Sequence, residues 1–234
     1  MMPASARAVR RPKAVRGDLT REKLLTASID VFGRNGFDGA TTRMLTDAAG
    51  VNQQAIPYYF GSKEGLYVAT AEFIAQQIGV HVSPMREKVR GRLLEADEGG
   101  SRISEAEARA LLTQIIETVA ALFVSKQSEP WARFIIREQM YPTEAFRRIY
   151  DSIMSPMFDV VGRLVAILLR DDPSSEHIRL RTLSLFGSVL VFRMAHAAVM
   201  AKLAWSSIGP AQLSTIQAHA RELVAAIGKE GAAS

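Results

Sequence analysis

The chain has 234 residues, 48% of them hydrophobic, and a formal net charge of +5; this length suits a small domain plus a medium one, with enough apolar material for a core. It contains no cysteine, which excludes disulfides, thiolate metal sites and a cysteine nucleophile and fits a reducing cytoplasm. Residues 1–65 hold ten Lys/Arg against six acids, so most of the positive charge sits at one end and points to a polyanionic partner there, although a solvated basic tail would have the same composition.

Residues 1–17 have no apolar period and no acid. They read as a disordered basic arm, either of the kind that follows phosphates or enters a minor groove, or a tail with no specific role. No apolar signal-peptide core is evident at this end. A first helix is predicted from about Thr20 to Asn35, with Leu25, Ser28, Ile29 and Phe32 on one stripe. Asn35-Gly36 ends it, with Gly36 in the left-handed position and Phe37 folding back. Thr41 or Thr42 caps a second helix whose inner face is Leu45, Ala48 and Ala49. Gly50 makes a turn, and Val51 and Ile56 anchor a third helix. Ser62 caps a fourth that turns Leu66, Ala69, Thr70, Phe73 and Ile74 inward.

Two short helices around a tight turn are the layout that places one helix in a DNA major groove. Asn and Gln bond bidentately to adenine, so Asn52, Gln53 and Gln54 are candidate base readers. Thr42, Arg43, Tyr58, Tyr59 and Lys63 are candidates for holding phosphates, which set register. Each alone could be a solvated polar residue; their joint order and spacing favours DNA. Pro57 has no N–H and obstructs a helix interior, so the third helix is predicted to be short or kinked.

The remainder is helical by pattern. Ser104 with Glu107 forms a capping box for a helix to about Val124. Pro130 opens the next, with Trp131, Phe134, Ile135 and Met140. Pro142-Thr143 opens another reaching Leu169. Ser174 or Ser175 caps a long helix through Trp205, apolar nearly all round, as a helix buried on two sides would be. Its stretch Leu183–Leu203 is interrupted by Arg193, His196 and Lys202, so a buried helix fits better than a membrane span. Gly209-Pro210 opens the last helix. No useful stretch alternates with period two, so the fold class is all-α.

Arg193 and His196 interrupt one apolar helix, and Arg137 and Glu138 another. Buried charges need partners. Intramolecular pairing is one reading; polar anchoring of a small molecule in an apolar pocket lined by Phe123, Trp131, Phe134, Met140, Phe158, Phe192 and Met200 is the other, although such a set is more often simply core. No metal-ligand spacing, helical di-iron pattern, P-loop, dinucleotide glycine motif or G-x-S-x-G occurs. No cofactor, metal or catalytic residue is assigned, and an enzyme or bare scaffold is the weaker alternative.

In LLTASIDVFGRNGF, ATTRMLTDAAGV and YYFGSKEGLY, spanning about Leu24–Phe73, the chain resembles the TetR family of bacterial transcriptional regulators. REQMYPTEAF, Arg137–Phe146, is similar to the C-terminal domain of its CecR-like subgroup. The resemblance implies a homodimer on an approximately palindromic operator, a repressor released by a small-molecule effector, with a C-terminal domain for dimerisation and effector binding. The implied layout is an arm at 1–17, a helix-turn-helix domain at 18–78 with its motif at about 41–60, an effector domain at 79–228 and a tail at 229–234. Phe123, Phe134, Arg137, Met140, Phe192, Arg193 and His196 are then the candidate effector contacts.

Overall fold

A computed structural model describes residues 13–228, and these form helices with no strand among the described residues. The first four are α1 (Lys13–Gly39), α2 (Thr42–Ala49), α3 (Ala55–Phe60) and α4 (Lys63–Asp97). The stripe read in the first helix is buried throughout, at Leu25, Ser28, Ile29 and Phe32. With Leu45, Ile56 and Leu66 it forms the small core that fixes α1–α4; each such buried apolar side chain contributes about 1.5–3 kcal/mol. The expected basic arm is already helical from Lys13; the rest of it, and the expected tail at 229–234, lie outside the described residues.

Gly36 takes φ 71°, as its place after Asn35 predicts, but one further helical turn follows before the chain leaves α1. Arg137 lies against Gly36 so closely that a Cβ there would stand 2.2 Å from the guanidinium carbon. In α2 the inner face is Leu45, Thr46 and Ala49 rather than Leu45, Ala48 and Ala49: Ala48 is exposed and Thr46 is buried. Burial costs Thr46 little, because its hydroxyl donates to the carbonyls of Thr42 (3.0 Å) and Arg43 (3.1 Å).

Helix α4 is 35 residues long, roughly 50 Å at 1.5 Å per residue. It passes without a break through residue 78, where a domain boundary is expected. Pro84 lies inside it and leaves the Val80 carbonyl without its helical N–H; the Ser83 hydroxyl donates to that carbonyl instead, at 3.3 Å.

The body comprises α5 (Glu105–Val124), α6 (Glu129–Met140), α7 (Glu144–Ile149), α8 (Ser155–Leu169), α9 (Glu176–Met194), α10 (His196–Leu203) and α11 (Pro210–Ala226). Ser104 caps α5 at the Glu107 N–H (3.2 Å), but the Glu107 carboxylate turns to Arg92 of α4 at 2.6 Å, so the predicted capping box is half formed. Helices α7 and α8 are one run with a π-helical turn at Tyr150–Met154, next to Pro156, which cannot donate back to the Ser152 carbonyl. By length and composition this run, Glu144–Leu169, could cross a membrane; its packing against α5 and α9 accounts for the same apolarity.

The predicted long helix to Trp205 is a correction. It bends by 81° at Ala195, separating α9 from α10. The turn lets Trp205 and Ile208 pack on the core.

Candidate nucleic-acid interface and the cavity behind it

Local chemistry builds the turn between α2 and α3. Thr41 caps α2 at the Met44 N–H (3.1 Å). Gly50 takes the left-handed conformation, φ 63° and ψ 40°, that ends it. The Asn52 side chain accepts from the Gln54 N–H at 2.9 Å and starts α3. Helix α3 is only six residues long, and Pro57 sits in its first turn, where a missing N–H costs least. The recognition helix is short, as predicted, but it is Gly61, at φ 76°, that ends it, and Pro57 does not interrupt it.

Ala55 and Ile56 face the core, while Asn52, Gln53, Gln54 and Tyr58 face out, Tyr58 with 80% of its surface exposed. Thr42 and Arg43 are exposed on α2 beside them. Arg43 pairs with Asp47 at 3.5 Å across exposed side chains, a weak contact that a phosphate can replace. Tyr59 is half-buried and meets Tyr58 edge-on, with ring centroids 4.7 Å apart. An open hollow joins Asn52, Gln54, Pro57 and Tyr58 to Lys23 of α1. Lys23 is an exposed cation missed in the sequence; only the packing of α1 beside α3 reveals it.

Lys63, read as a candidate for holding phosphates, is tied to the protein's own backbone here. Its ammonium donates to the carbonyls of Phe37 (2.9 Å) and Ala40 (3.0 Å) and lies 4.2 Å from the Phe37 ring centroid. It closes the α1–α2 loop from the start of α4.

Behind this module, α6 is packed on α1. Arg133 donates to Asp30 of α1 at 2.8 Å. Glu138 is 1% exposed, and its carboxylate is fully occupied. One oxygen accepts from the Tyr67 hydroxyl of α4 at 2.6 Å. The other accepts from the Thr143 N–H (3.0 Å), the Thr143 hydroxyl (2.9 Å) and the Phe146 N–H (2.9 Å). An anion here is stabilised by the first free N–H groups of α7. Burial and the bond to Glu138 push the Tyr67 phenol well above its ordinary value. Phe32, Phe37 and Phe134 pack around the Tyr67 ring. The motif REQMYPTEAF thus joins α4, α6 and α7 at one buried carboxylate.

On the opposite side of α6, Ala132, Ile135, Ile136 and Gln139 wall a cavity of about 220 Å³, closed by residues of α4, α5, α8 and α9. Of the candidate effector contacts, Phe123 and Arg193 line it. Phe134 lies on the other face of α6, against Tyr67. Arg137 is exposed beside Gly36, Met140 is 66% exposed, His196 is exposed, and Phe192 is not in the cavity wall. Trp131 and Phe158, also read from the sequence as pocket residues, line it, and Met200 is not in its wall. Intramolecular pairing accounts for Glu138 and Arg193, but with neutral partners rather than between charges. Arg193 donates through Nε to the Phe123 carbonyl and through Nη2 to the Ser125 carbonyl (2.6 Å) and the Ser128 hydroxyl (3.1 Å).

Residues 24–70 match the family of bacterial regulatory proteins of the tetR type, and residues 108–230 match the C-terminal domain of the HTH-type transcriptional dual regulator CecR. The chain is 31% identical to the dual regulator CecR of Shigella flexneri over 193 residues, 82% of this chain and 84% of that protein. It is 39% identical to the transcriptional repressor NicS of Pseudomonas putida over 62 residues, 26% of this chain and 29% of that one. A solved TetR-like transcriptional regulator from Rhodococcus sp. RHA1 shares the fold with a TM-score of 0.58 at 19% identity, covering 95% of this chain and all of that one.

Proposed function

This chain belongs to the TetR family of bacterial transcriptional regulators, a DNA-binding regulator rather than an enzyme, and from that premise we propose that it is an operator-binding homodimer, a repressor released by a small-molecule effector. The observation that carries the DNA side is the outward amide surface Asn52–Gln54 with Tyr58, backed by the buried Ile56 and flanked by Arg43 and Lys23. Amides read adenine edges and the flanking cations hold phosphates.

The dimer has its own support. Helix α9 buries Ile178, Thr182, Leu185 and Val189 in its own body. Its other side exposes Leu180, Leu183, Val191 and Met194. With the exposed Gly187 these follow the spacing of a helix-pairing seam. A second copy fits a self-complementary stripe of this kind. Such a dimer presents two copies of α3 to successive major grooves about 34–36 Å apart.

Helix α6 connects the two activities. One face walls the cavity, and the other holds α1 through Arg133 and α4 through Glu138. A molecule that shifts α6 changes the spacing of the two readers, which is linkage between effector and operator. The test is a gel shift with purified protein on DNA upstream of its own and neighbouring genes. A discrete, competitor-resistant complex with two protomers per site supports the reading. Binding indifferent to sequence, or by a lone protomer, contradicts it.

A further inference from the structure

Among the described residues the wall of the cavity is apolar except for Ser128, Gln139 and Arg193, and Arg193 is the one of these that carries a charge. The Ser128 hydroxyl is already used, donating to the Leu122 carbonyl and accepting from Arg193. The Gln139 amide donates to the Met154 sulfur, at 3.8 Å. Arg193 bonds through Nε and Nη2, and its Nη1 takes part in none of those bonds. A guanidinium remains charged in a protein and offers only donors. The cavity therefore presents an apolar chamber with a donor-only cationic end. A cationic ligand meets like charge there, and a neutral hydrocarbon offers Nη1 no acceptor. At about 220 Å³ it is smaller than the roughly 300–1,000 Å³ typical of drug-sized ligands.

Resting on the reading of this cavity as the effector site, we infer that the effector is a compact hydrophobic carboxylate whose acidic oxygens take the Arg193 guanidinium. The same group is the point of leverage. In this structure Arg193 ties α9 to the carbonyls of Phe123 and Ser125, at the C-terminal end of α5 and the turn into α6. A carboxylate is a stronger acceptor for guanidinium than these neutral carbonyls. Drawing Arg193 to the ligand releases the α5–α6 turn. That turn sets the position of α6, which carries Arg133 and Glu138 to the DNA-binding module.

The test is calorimetric titration of the full chain with octanoate, 1-octanol and octylammonium, which share a tail and differ in the charge of the head. Octanoate binds about tenfold or more tighter than octanol, as a charge-assisted bond implies, and octylammonium binds weakest. Arg193→Gln reduces octanoate to the affinity of octanol while octanol binding persists, which shows an intact chamber. Ile135→Trp, which fills the chamber from α6, abolishes octanoate binding and serves as the second variant should Arg193→Gln not fold. The proposal is overturned by octanol or octylammonium matching octanoate, by binding of none of the three, by charge preference surviving Arg193→Gln, or by octanoate still binding Ile135→Trp. Parallel titrations with operator DNA separate the two readings. Octanoate bound with its preference but without effect on operator affinity counts against the cavity as effector site. Operator release by octanol as readily as by octanoate counts only against the carboxylate.

Discussion

Glu138 and Tyr67 are the residues on which the two halves of the molecule meet. The carboxylate, itself 1% exposed, satisfies four donors, so removing its charge leaves the N–H groups of Thr143 and Phe146 competing for an amide. Glu138→Gln is expected to lower stability by about 1–3 kcal/mol, measured by urea unfolding. Tyr67→Phe removes one of those bonds, and its effect has a pH signature. The folded phenol titrates above its ordinary value, so its contribution is complete below about pH 10 and is lost as the pH climbs from there toward the higher folded value. Glu138, Arg137 and Asp38 are the charged groups that face it. Tyr67→Phe should therefore flatten the alkaline limb of the stability profile, and an unchanged limb would separate the phenol from it. Gly36→Ala is a third case at this scale. Its φ of 71° favours glycine, and Arg137 fills the space of a Cβ, so a loss of about 1–2 kcal/mol is expected in the same unfolding assay.

At the scale of elements, what was legible in the sequence is what depends on near neighbours. Thr41, Ser62, Ser104, Thr143 and Ser175 each cap a helix two or three residues away, and such spacings can be read along the chain. The short α3 predicted at Pro57 forms too, although its end is set by Gly61. What was not legible depends on distant partners. The donors to Glu138 include a phenol 71 residues away, and Lys63 donates to carbonyls 26 and 23 residues away. The bend at Ala195 has no glycine or proline to announce it, and the residues that pack on the core beyond it, Trp205 and Ile208, lie ten or more residues away. Phe134 and Met140 share α6 with the cavity wall, yet one is turned to Tyr67 and the other to solvent; helical spacing groups residues but does not say which side holds the chamber.

For the molecule as a whole, the account needs two chains. Leu183 is 53% exposed in the middle of the apolar stripe of α9, where a charge costs a monomer little and a dimer much. Leu183→Arg should give a folded protein that sediments as a monomer and binds operator at least about tenfold more weakly, because each half-site contributes less alone. The central claim is that the amides before α3 read bases. Fluorescence anisotropy with footprinted operator and with scrambled DNA, at matched salt, tests it most directly by comparing the unchanged chain with a Gln53→Ala, Gln54→Ala variant. The account predicts that the variant loses about tenfold or more on operator, in line with about 1–3 kcal/mol per base contact, while its affinity for scrambled DNA, held by phosphate contacts, stays the same. Equal operator affinity in the two proteins, or an equal loss on both DNAs, would contradict it.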